Sequence, residues 1–353
     1  MAVHEAGHDV LLLSPPGDYG GKFAELGLRW QPLAMDRRSL NLLREFVVLW
    51  RLFRLFQFER PELVHSFTIK CTVYGSLAAR LARVPTRINA VTGMGYVFSS
   101  KDVRARLLRP VLKVMLRIAL GGKRARLILQ NQDDVILFER AGLIESTHVR
   151  MIRGSGVDCL RFTPPAVPRD EGPLRVLLAA RLLWEKGIGE FVEAARALHA
   201  RGVAVKFLLA GVPDAGNPAA VPEAALHKWA AEGVVEWLGH VEDMAALFRS
   251  MDIVVLPSYR EGLPKSLIEA AACGLPLVTC DTAGCREVVT HEVDGLLVPP
   301  RDAEALAVAI QRLLDDAALR QRLGQAARAK VLTEFDERIV IEKTLAVYQE
   351  LLN

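Results

Sequence analysis

The chain has 353 residues, of which 51% are hydrophobic and 24% are charged. This length and composition predict a soluble globular protein of two domains and argue against disorder. Five cysteines without a C-x-x-C pair are typical of reduced thiols, and no apolar run reaches the ~18 residues of a membrane-spanning helix. The first residues do not combine a basic segment with an apolar core, so we expect no signal peptide.

The net charge of +4 conceals an asymmetry between the two halves of the chain. Residues 1–170 hold 26 Lys and Arg against 15 Asp and Glu, whereas residues 171–353 hold 19 against 26. A basic half beside an acidic half predicts that the first half meets an anionic partner.

Short apolar runs alternate with helical stretches in the first half, which predicts an α/β fold with a parallel sheet. The chain opens on the tail of a helix, whereas a doubly wound domain opens with a strand, a glycine-rich turn and a helix. We therefore expect the first strand and its turn, about 20 residues, to be absent. Strands are predicted over 9–14, 62–67, 87–93, 126–130 and 149–153, and helices over 40–58, about 102–121 and 131–141.

A proline-rich stretch over 159–173 predicts a linker, after which the alternation restarts. We place an N-terminal Rossmann-like domain at 1–160, a second at 161–335, and a last helix at 336–353 that we expect to pack back toward the first domain. Two such domains would enclose a cleft at the carboxyl ends of their sheets. Strands of the second domain are predicted over 175–182, 205–210, 234–238, 252–257, 277–280 and 296–298.

Two glutamates follow the apolar strand that ends at Pro257. Glu261 is predicted on the strand-to-helix loop, and Glu269 inside the helix that opens at Pro264. Gly262 permits a tight turn, and the first amides of the helix face the same crevice. Two acids beside a helix N-terminus suit a ligand that carries hydroxyls and phosphates, although two merely solvated acids would leave the same pattern.

Two cations, Arg181 and Lys186, flank a turn at the end of the first strand of the second half. Two cations and free helix amides can hold a diphosphate. The loops at Gly211 and at Gly239–Val241 also end strands and could offer backbone groups to a nucleotide. A basic pair on one loop is usually only solvated, so the inference depends on its lying at the same sheet edge as the two glutamates.

Taken in order, these motifs resemble the retaining GT-B glycosyltransferases of group 1 over nearly the whole chain. The resemblance implies that Arg181 and Lys186 bind the donor diphosphate, that Glu269 binds the ribose hydroxyls, and that Glu261 faces the donor sugar. It also implies donor contacts from Gly211, His240, Val241, Gly262, Leu263 and Pro264. The motifs are Arg181-x4-Lys186-Gly187, Gly239-x-Val241, Glu261-Gly262-x-Pro264-x4-Glu269 and Asp294-Gly295-x-Leu297-Val298-Pro299.

The first half resembles the subgroup that extends undecaprenyl-diphosphate-linked sugars in surface glycan biosynthesis. The motifs are Phe67-Thr-Ile-Lys70, Tyr74-Gly75-Ser76, Thr92-Gly93-Met94-Gly95-Tyr96 and Gly154-Ser-Gly156-Val-Asp158. The resemblance implies a UDP-linked N-acetylhexosamine as donor and a polyprenyl-diphosphate-linked acceptor, contacted by Lys70, Thr92, Gly93 and Met94. Two departures stand out: the family's opening glycine-rich loop has no counterpart, and Thr92 and Gly93 occupy the place of a frequent histidine.

The predicted chemistry depends on charge. A diphosphate leaving group needs no proton when cations hold it, so charge stabilisation is expected to be the main catalytic contribution. The resemblance implies transfer on one face with retained configuration, the leaving phosphate helping to deprotonate the acceptor. We expect no metal ion, because no D-x-D motif lies near the site, and no cofactor beyond the nucleotide-sugar donor.

Two basic stretches of the first half, 40–58 and 101–126, also carry bulky apolar residues. Such a face can bind anionic lipid, although its apolar side could equally pack on the sheet and leave the arginines solvated. The expected acceptor never leaves the bilayer. We therefore expect peripheral, salt-sensitive binding at the cytoplasmic face of the cell membrane, and no nucleic-acid partner.

Functions of other classes stay open at this point. A Rossmann dehydrogenase requires G-x-G-x-x-G, and the stretch from Gly154 to Cys159 lacks the third glycine. A GT-B UDP-sugar epimerase would share the fold and release free UDP-sugar without any acceptor. A non-catalytic nucleotide-sugar-binding protein is compatible with an absent first strand.

Overall fold

A computed structural model describes residues 1–17, 19–35, 41–91, 103–166, 172–214 and 216–352. The chain divides into two compact units, the first formed by Met1–Ile152 with Ile341–Asn353 and the second by Arg153–Val340. Residues 92–102, which include the predicted acceptor loop, and residues 167–171 of the predicted linker lie outside the described residues.

The described residues of the first unit form two parallel sheets. Strands β1 (Leu11–Ser14) and β2 (Arg29–Pro32) pair with each other. Strands β3 (Leu63–Phe67), β4 (Thr86–Val91), β5 (Ala125–Leu129) and β6 (Val149–Met151) pair in that order. Within the described residues β1 pairs only with β2 and β3 only with β4, so each has one edge without a strand partner. The absent opening strand stays a prediction.

Within the described residues, six α-helices of the first unit come before the C-terminal segment that also belongs to this unit. They are α1 (Ala2–Glu5), α2 (Tyr19–Glu25), α3 (Leu42–Glu59), α4 (Ile69–Leu81), α5 (Val103–Leu120) and α6 (Gln132–Arg140). Helix α3 begins where the Asn41 side chain accepts hydrogen bonds from the amides of Leu43 and Arg44, and it ends at Arg60 in a left-handed conformation. Its residues Val48, Leu52 and Phe56 are buried in a cluster with Ala78 and Ala79 of α4.

The second unit is a doubly wound sheet of six parallel strands in the order β12-β11-β10-β7-β8-β9. Along β7, Val176 and Leu178 face one core cluster while Leu177 and Ala179 face the other. A strand covered by helices on both faces is apolar at every position, which explains the unbroken run in the sequence. The strands are β7 (Leu174–Ala179), β8 (Val205–Ala210), β9 (Glu236–Gly239), β10 (Ile253–Leu256), β11 (Leu277–Cys280) and β12 (Leu296–Val298).

The remaining helices cover this sheet and end the chain. They are α7 (Ile188–Ala200), α8 (Glu223–Ala231), α9 (Met244–Arg249), α10 (Lys265–Ala272), α11 (Cys285–Val288), α12 (Ala303–Asp315), α13 (Ala317–Glu334) and α14 (Glu337–Leu352). The predicted α/β fold with parallel sheets is confirmed, and β2 is an additional strand that the sequence pattern did not predict. None of the helices in the described ranges combines the length and apolar character needed to cross a membrane.

The last part of α14 belongs to the first unit. The Tyr348 hydroxyl lies 2.7 Å from Nδ1 of His65 on β3. Burial lowers the pKa of His65 to about 4 and raises that of Tyr348 to about 12, so this hydrogen bond joins two neutral groups at pH 7. Near the end of the helix, Glu350 accepts hydrogen bonds from Arg126 and Arg150 at 2.6 Å each. These contacts fix the end of the chain on the four-stranded sheet β3–β6.

Candidate donor site

The candidate site lies at the carboxyl ends of β7 and β10, which are neighbours in the sheet although about 75 residues separate them. The strand order reverses at this point, since β8 and β9 lie on one side of β7 and β10 to β12 lie on the other. Ligands of open α/β sheets bind at such a switch point. The loop after β7 carries the two predicted cations, and the loop and helix after β10 carry the two predicted glutamates.

The two loops approach each other through their backbones. The Tyr259 amide donates to the Glu185 carbonyl at 2.9 Å. Gly187, which precedes α7, has a φ of 75°, and a Cβ placed there would lie 2.2 Å from the Pro257 carbonyl oxygen. Only glycine fits both the left-handed backbone and this contact. The start of α7 is therefore held directly against the segment after β10.

Lys186 and Glu261 form an ion pair across these loops, with Nζ 2.5 Å from Oε1. Their side chains are only 13% and 12% exposed. Two charges at this depth compensate each other's loss of hydration, and removing either one leaves the other uncompensated. Residues predicted for two different roles are thus electrostatically coupled, which the sequence pattern did not indicate.

Arg181, the second predicted cation, is not part of this ion pair. It is exposed, and its Nη1 lies 3.1 Å from Oδ2 of Asp214 in the loop after β8. The Asp214 carboxylate also accepts a hydrogen bond from the Asn217 side-chain amide at 3.1 Å. Sequence reasoning missed Asp214. One feature of the sequence could have indicated Asp214. It lies in the loop after β8, the strand next to β7, and a carboxylate there can pair with a cation in the loop after β7.

Glu269 lies in the first two turns of α10, with its carboxylate 3.5 Å from Lys265 Nζ. Burial raises the pKa of Glu269, and the charges of Lys265 and Arg161 oppose that rise. A partly buried carboxylate at this place can accept hydrogen bonds from vicinal hydroxyls. The helix opens after Pro264, so the amides of Lys265 and Ser266 are free of intrahelical partners.

The loops predicted to contact the nucleotide are also adjacent. The Gly211 amide donates to the Gly239 carbonyl at 2.7 Å, and the Trp237 indole donates to the Gly211 carbonyl at 2.9 Å. A Cβ on Gly211 would lie 1.9 Å from the Ala180 carbonyl oxygen, so no side chain fits between β8 and the loop after β7. His240 is exposed and Val241 half-buried. The two loops therefore lie side by side at this edge of the sheet and are joined through their backbones.

Of the predicted acceptor residues, only Lys70 lies within the described ranges; Thr92, Gly93 and Met94 lie outside them. Lys70 is in the first turn of α4, and its Nζ lies 2.7 Å from Oε1 of Glu45 on α3. Burial, and secondarily the Glu45 charge, raise the pKa of the nearby Tyr74 to about 12. Sequence reasoning missed Glu45, because a pairing between helices leaves no local pattern.

Comparison with known proteins identifies relatives of both halves of the chain. Residues 161–330 match the family of glycosyl transferases group 1, and residues 2–153 match the glycosyl transferase 4-like domain. The N,N'-diacetylbacillosaminyl-diphospho-undecaprenol alpha-1,3-N-acetylgalactosaminyltransferase of Campylobacter jejuni is 30% identical over 99% of this chain and 93% of its own length. The UDP-Gal:alpha-D-GlcNAc-diphosphoundecaprenol alpha-1,3-galactosyltransferase of Escherichia coli is 24% identical over 89% and 82%.

The solved structures show the fold. The Anabaena Alr3699/HepE protein in complex with UDP superposes with a TM-score of 0.78 at 21% identity, covering 97% of this chain and 92% of that protein. This likeness confirms the GT-B fold predicted from the sequence. The chain belongs to the group 1 glycosyl transferases, and its activity is therefore glycosyl transfer.

Proposed function

We propose that this protein transfers a sugar, expected to be an N-acetylhexosamine, from a UDP-sugar to a polyprenyl-diphosphate-linked saccharide in surface glycan synthesis. The observation that carries the proposal is the buried pair of Lys186 and Glu261 at the switch point of the second unit. The names of two full-length relatives, which specify undecaprenol-diphosphate-linked sugars, support the acceptor class. UDP in a protein of the same fold supports the donor class.

The ion pair suggests how donor binding and catalysis are linked. A diphosphate that reaches Lys186 offers the ammonium a second anion, and Glu261 then turns toward the donor sugar. Arg181, exposed beside Asp214, is placed to supply the second cation. Two cations on the leaving diphosphate stabilise the charge that develops as the glycosidic bond breaks. We therefore propose that no metal ion or further cofactor takes part.

The stereochemical proposal is retention of configuration. A UDP-hexose carries its diphosphate in the α configuration, and both relatives named above form alpha linkages. The leaving phosphate, held on the face that the acceptor enters, takes the acceptor proton. Glu269 accepts hydrogen bonds from the ribose hydroxyls, and backbone groups at Gly211, His240 and Val241 contact the base.

For the acceptor, we propose that Lys70 and the segment Thr92–Met94 contact the lipid-linked diphosphate. Lys70 is compensated by Glu45 in a half-buried pair, so an incoming diphosphate would exchange one anion for another, as at Lys186. This repeated arrangement supports equivalent roles for the two lysines on the two substrates.

Product analysis tests the proposal against its alternatives. The protein is incubated with UDP-N-acetylhexosamine, with and without a polyprenyl-diphosphate-linked saccharide, and the products are analysed by mass spectrometry. The proposal predicts an acceptor one N-acetylhexosamine heavier and release of UDP only when acceptor is present. An epimerised UDP-sugar without acceptor would identify an epimerase, and an unchanged donor in both samples would identify a binding protein.

The membrane proposal gains support from α3. Its side chains Leu43, Phe46 and Trp50 are 78%, 66% and 52% exposed, although Val48, Leu52 and Phe56 on the other side are buried. The helix therefore has one apolar face that packs against α4 and a second apolar face that is exposed to solvent. Helix α5 repeats the pattern with exposed Val111, Val114 and Ile118. Basic residues flank both stripes: Arg44, Arg51, Arg54, Lys113 and Arg117.

We expect peripheral binding at the cytoplasmic face of the membrane through these stripes. Replacing Leu43, Phe46 and Trp50 together by serine should lower recovery on anionic vesicles about tenfold or more in a flotation assay, because each side chain contributes roughly 1.5–3 kcal/mol when buried in lipid. Raising the salt concentration should weaken binding of the wild type.

The matched control replaces Val293 and Val308, two exposed valines of the second unit, by serine. This variant should float like the wild type. Equal flotation of the wild type on neutral and anionic vesicles, or full flotation of the triple serine variant, would contradict membrane binding through α3.

A further inference from the structure

The surface of the first unit has an open depression of about 340 Å³ that is lined largely by basic residues. It lies between the end of α4, the loop after α5, and the starts of β4 and β5. We call it the basic pocket. Its lining contains five cations and no acidic residue: Arg80, Arg83, Arg87, Lys123 and Arg124. Among the described residues, no carboxylate forms a salt bridge with any of the five.

Two of these arginines donate hydrogen bonds to carbonyls at the end of α5. Arg80 donates to the carbonyls of Ile118 and Gly121 at 3.0 Å each, and Arg87 donates to Gly121 at 2.8 Å. The ends of α4 and α5 contribute roughly half a negative charge each. About four of the five positive charges therefore remain uncompensated by the fold.

Arg87 is the residue that points to a ligand. It is only 8% exposed, yet its buried Nε has no hydrogen-bond partner among the described residues. Burial, together with the neighbouring Arg80 charge, lowers the pKa of Arg87. Gly122 has a φ of 121°, and a Cβ there would lie 2.8 Å from the Arg87 guanidinium. The loop thus leaves room for a buried guanidinium whose charge the protein does not neutralise.

We propose that the basic pocket binds a phosphate-bearing anion with two or more phosphate groups. Guanidinium groups bind phosphate oxygens in a bidentate manner, and several convergent cations favour a multiply charged ligand. The pocket lies at the amino end of β4, whereas the predicted acceptor segment follows its carboxyl end at Val91. Six strand residues place the two ends about 20 Å apart. The pocket is therefore an anion site distinct from the proposed donor and acceptor sites.

Two variants remove charge from the pocket with little risk to the fold. Arg83 occupies a left-handed position (φ 59°) just after α4, where glycine is the preferred residue, so Arg83→Gly removes the cation and relieves the backbone. Lys123 is exposed, and Lys123→Glu reverses its charge. Lys206→Glu, on an exposed position of the second unit, makes the same charge change away from the pocket.

Calorimetric titration with inorganic pyrophosphate at constant ionic strength tests the proposal. Both pocket variants should lose one equivalent of bound pyrophosphate, or bind it at least tenfold more weakly, whereas Lys206→Glu should match the wild type. Pyrophosphate bound at the donor site would contribute equally to the wild type and to all three variants. The difference between variants therefore reports on the basic pocket alone.

A second titration uses vesicles of phosphatidylglycerol and of phosphatidylcholine. If free pyrophosphate is not bound but the pocket variants alone lose binding to phosphatidylglycerol, the site takes a lipid headgroup with a single phosphate, which would contradict a ligand with two or more phosphate groups. If the pocket variants match the wild type in both titrations, the basic pocket is not an anion site.

Discussion

Replacing Lys186 by methionine is expected to lower the transfer rate at least about 100-fold, which is the range seen when one preorganised charge-stabilising group is lost. UDP affinity should fall about tenfold or more, because a charge-assisted hydrogen bond is worth roughly 1.5–3 kcal/mol. Stability should also fall, since Glu261 is 12% exposed and loses its counter-charge. Calorimetry with UDP measures the change in affinity, and thermal unfolding measures the change in stability.

The partner variant separates the structural role of the pair from the catalytic one. In Lys186→Met with Glu261→Gln, no buried charge is left alone, so the melting temperature should recover much of its loss while transfer stays impaired. Arg181→Ala should also weaken UDP binding, with a smaller effect on stability because Arg181 is exposed. Unchanged UDP binding in both Lys186→Met and Arg181→Ala would reject the diphosphate assignment.

The second large effect concerns Asp336, where the chain leaves α13 and enters α14. The side chain is buried and accepts hydrogen bonds from the Arg338 guanidinium at 2.6 Å and from the Arg338 amide at 2.9 Å. Beside it, the Val157 amide donates to the Phe335 carbonyl at 2.9 Å, and the Glu337 amide donates to the Val157 carbonyl at 3.0 Å. The Arg338 side chain, followed by the local hydrogen bonds, lowers the pKa of Asp336 to about 2.

A depressed carboxyl pKa stabilises the folded protein at pH values above the unfolded pKa, which is about 3.9 for aspartate. The stabilisation from Asp336 should therefore be complete at neutral pH and disappear as the pH falls from about 4 to about 2. Its size is roughly 2–3 kcal/mol, since one pKa unit corresponds to 1.36 kcal/mol. Asp336→Asn should lose about this free energy of unfolding at pH 7 and little of it near pH 2.

Asp281 provides the control, because it also pairs with an arginine, Arg286, but both side chains are largely exposed. Asp281→Asn should change the free energy of unfolding by less than about 1 kcal/mol at any pH. Urea unfolding at pH 7 and pH 3 measures both variants. Equal losses in the two variants, or a loss for Asp336→Asn that does not depend on pH, would show that the buried charge is not the cause.

The sequence indicated the fold well because its signals are local. The central strand β10 is an unbroken, fully buried apolar run, and the structure places Glu261 on the loop and Glu269 in the helix, as predicted. Strand β2 escaped prediction because Arg29-Trp-Gln-Pro32 is short, mostly exposed and without alternation. An edge strand of this kind has no periodic pattern to detect.

The partners of the site residues could not be predicted in the same way. Lys186 and Glu261 are 75 residues apart, and Lys70 and Glu45 are 25 apart on different helices. Such pairs depend on how loops and helices pack, and no spacing in the sequence specifies them. The excess positive charge of the first half was evident from composition. Its clustering in the basic pocket could not be predicted, because it depends on the pairing of β4 with β5, which brings Arg87 next to Lys123 and Arg124.

The most direct test of the account is the anomeric configuration of the sugar transferred to the lipid-linked acceptor. The product made from a ¹³C-labelled UDP-N-acetylhexosamine is isolated and the one-bond C1–H1 coupling of the new residue is measured by NMR. Retaining transfer predicts an α-linked residue on the acceptor. The wild type should form it, and its yield should be strongly reduced in Lys186→Met. A β-linked residue, or label that stays in free sugar or UDP-sugar, would contradict it.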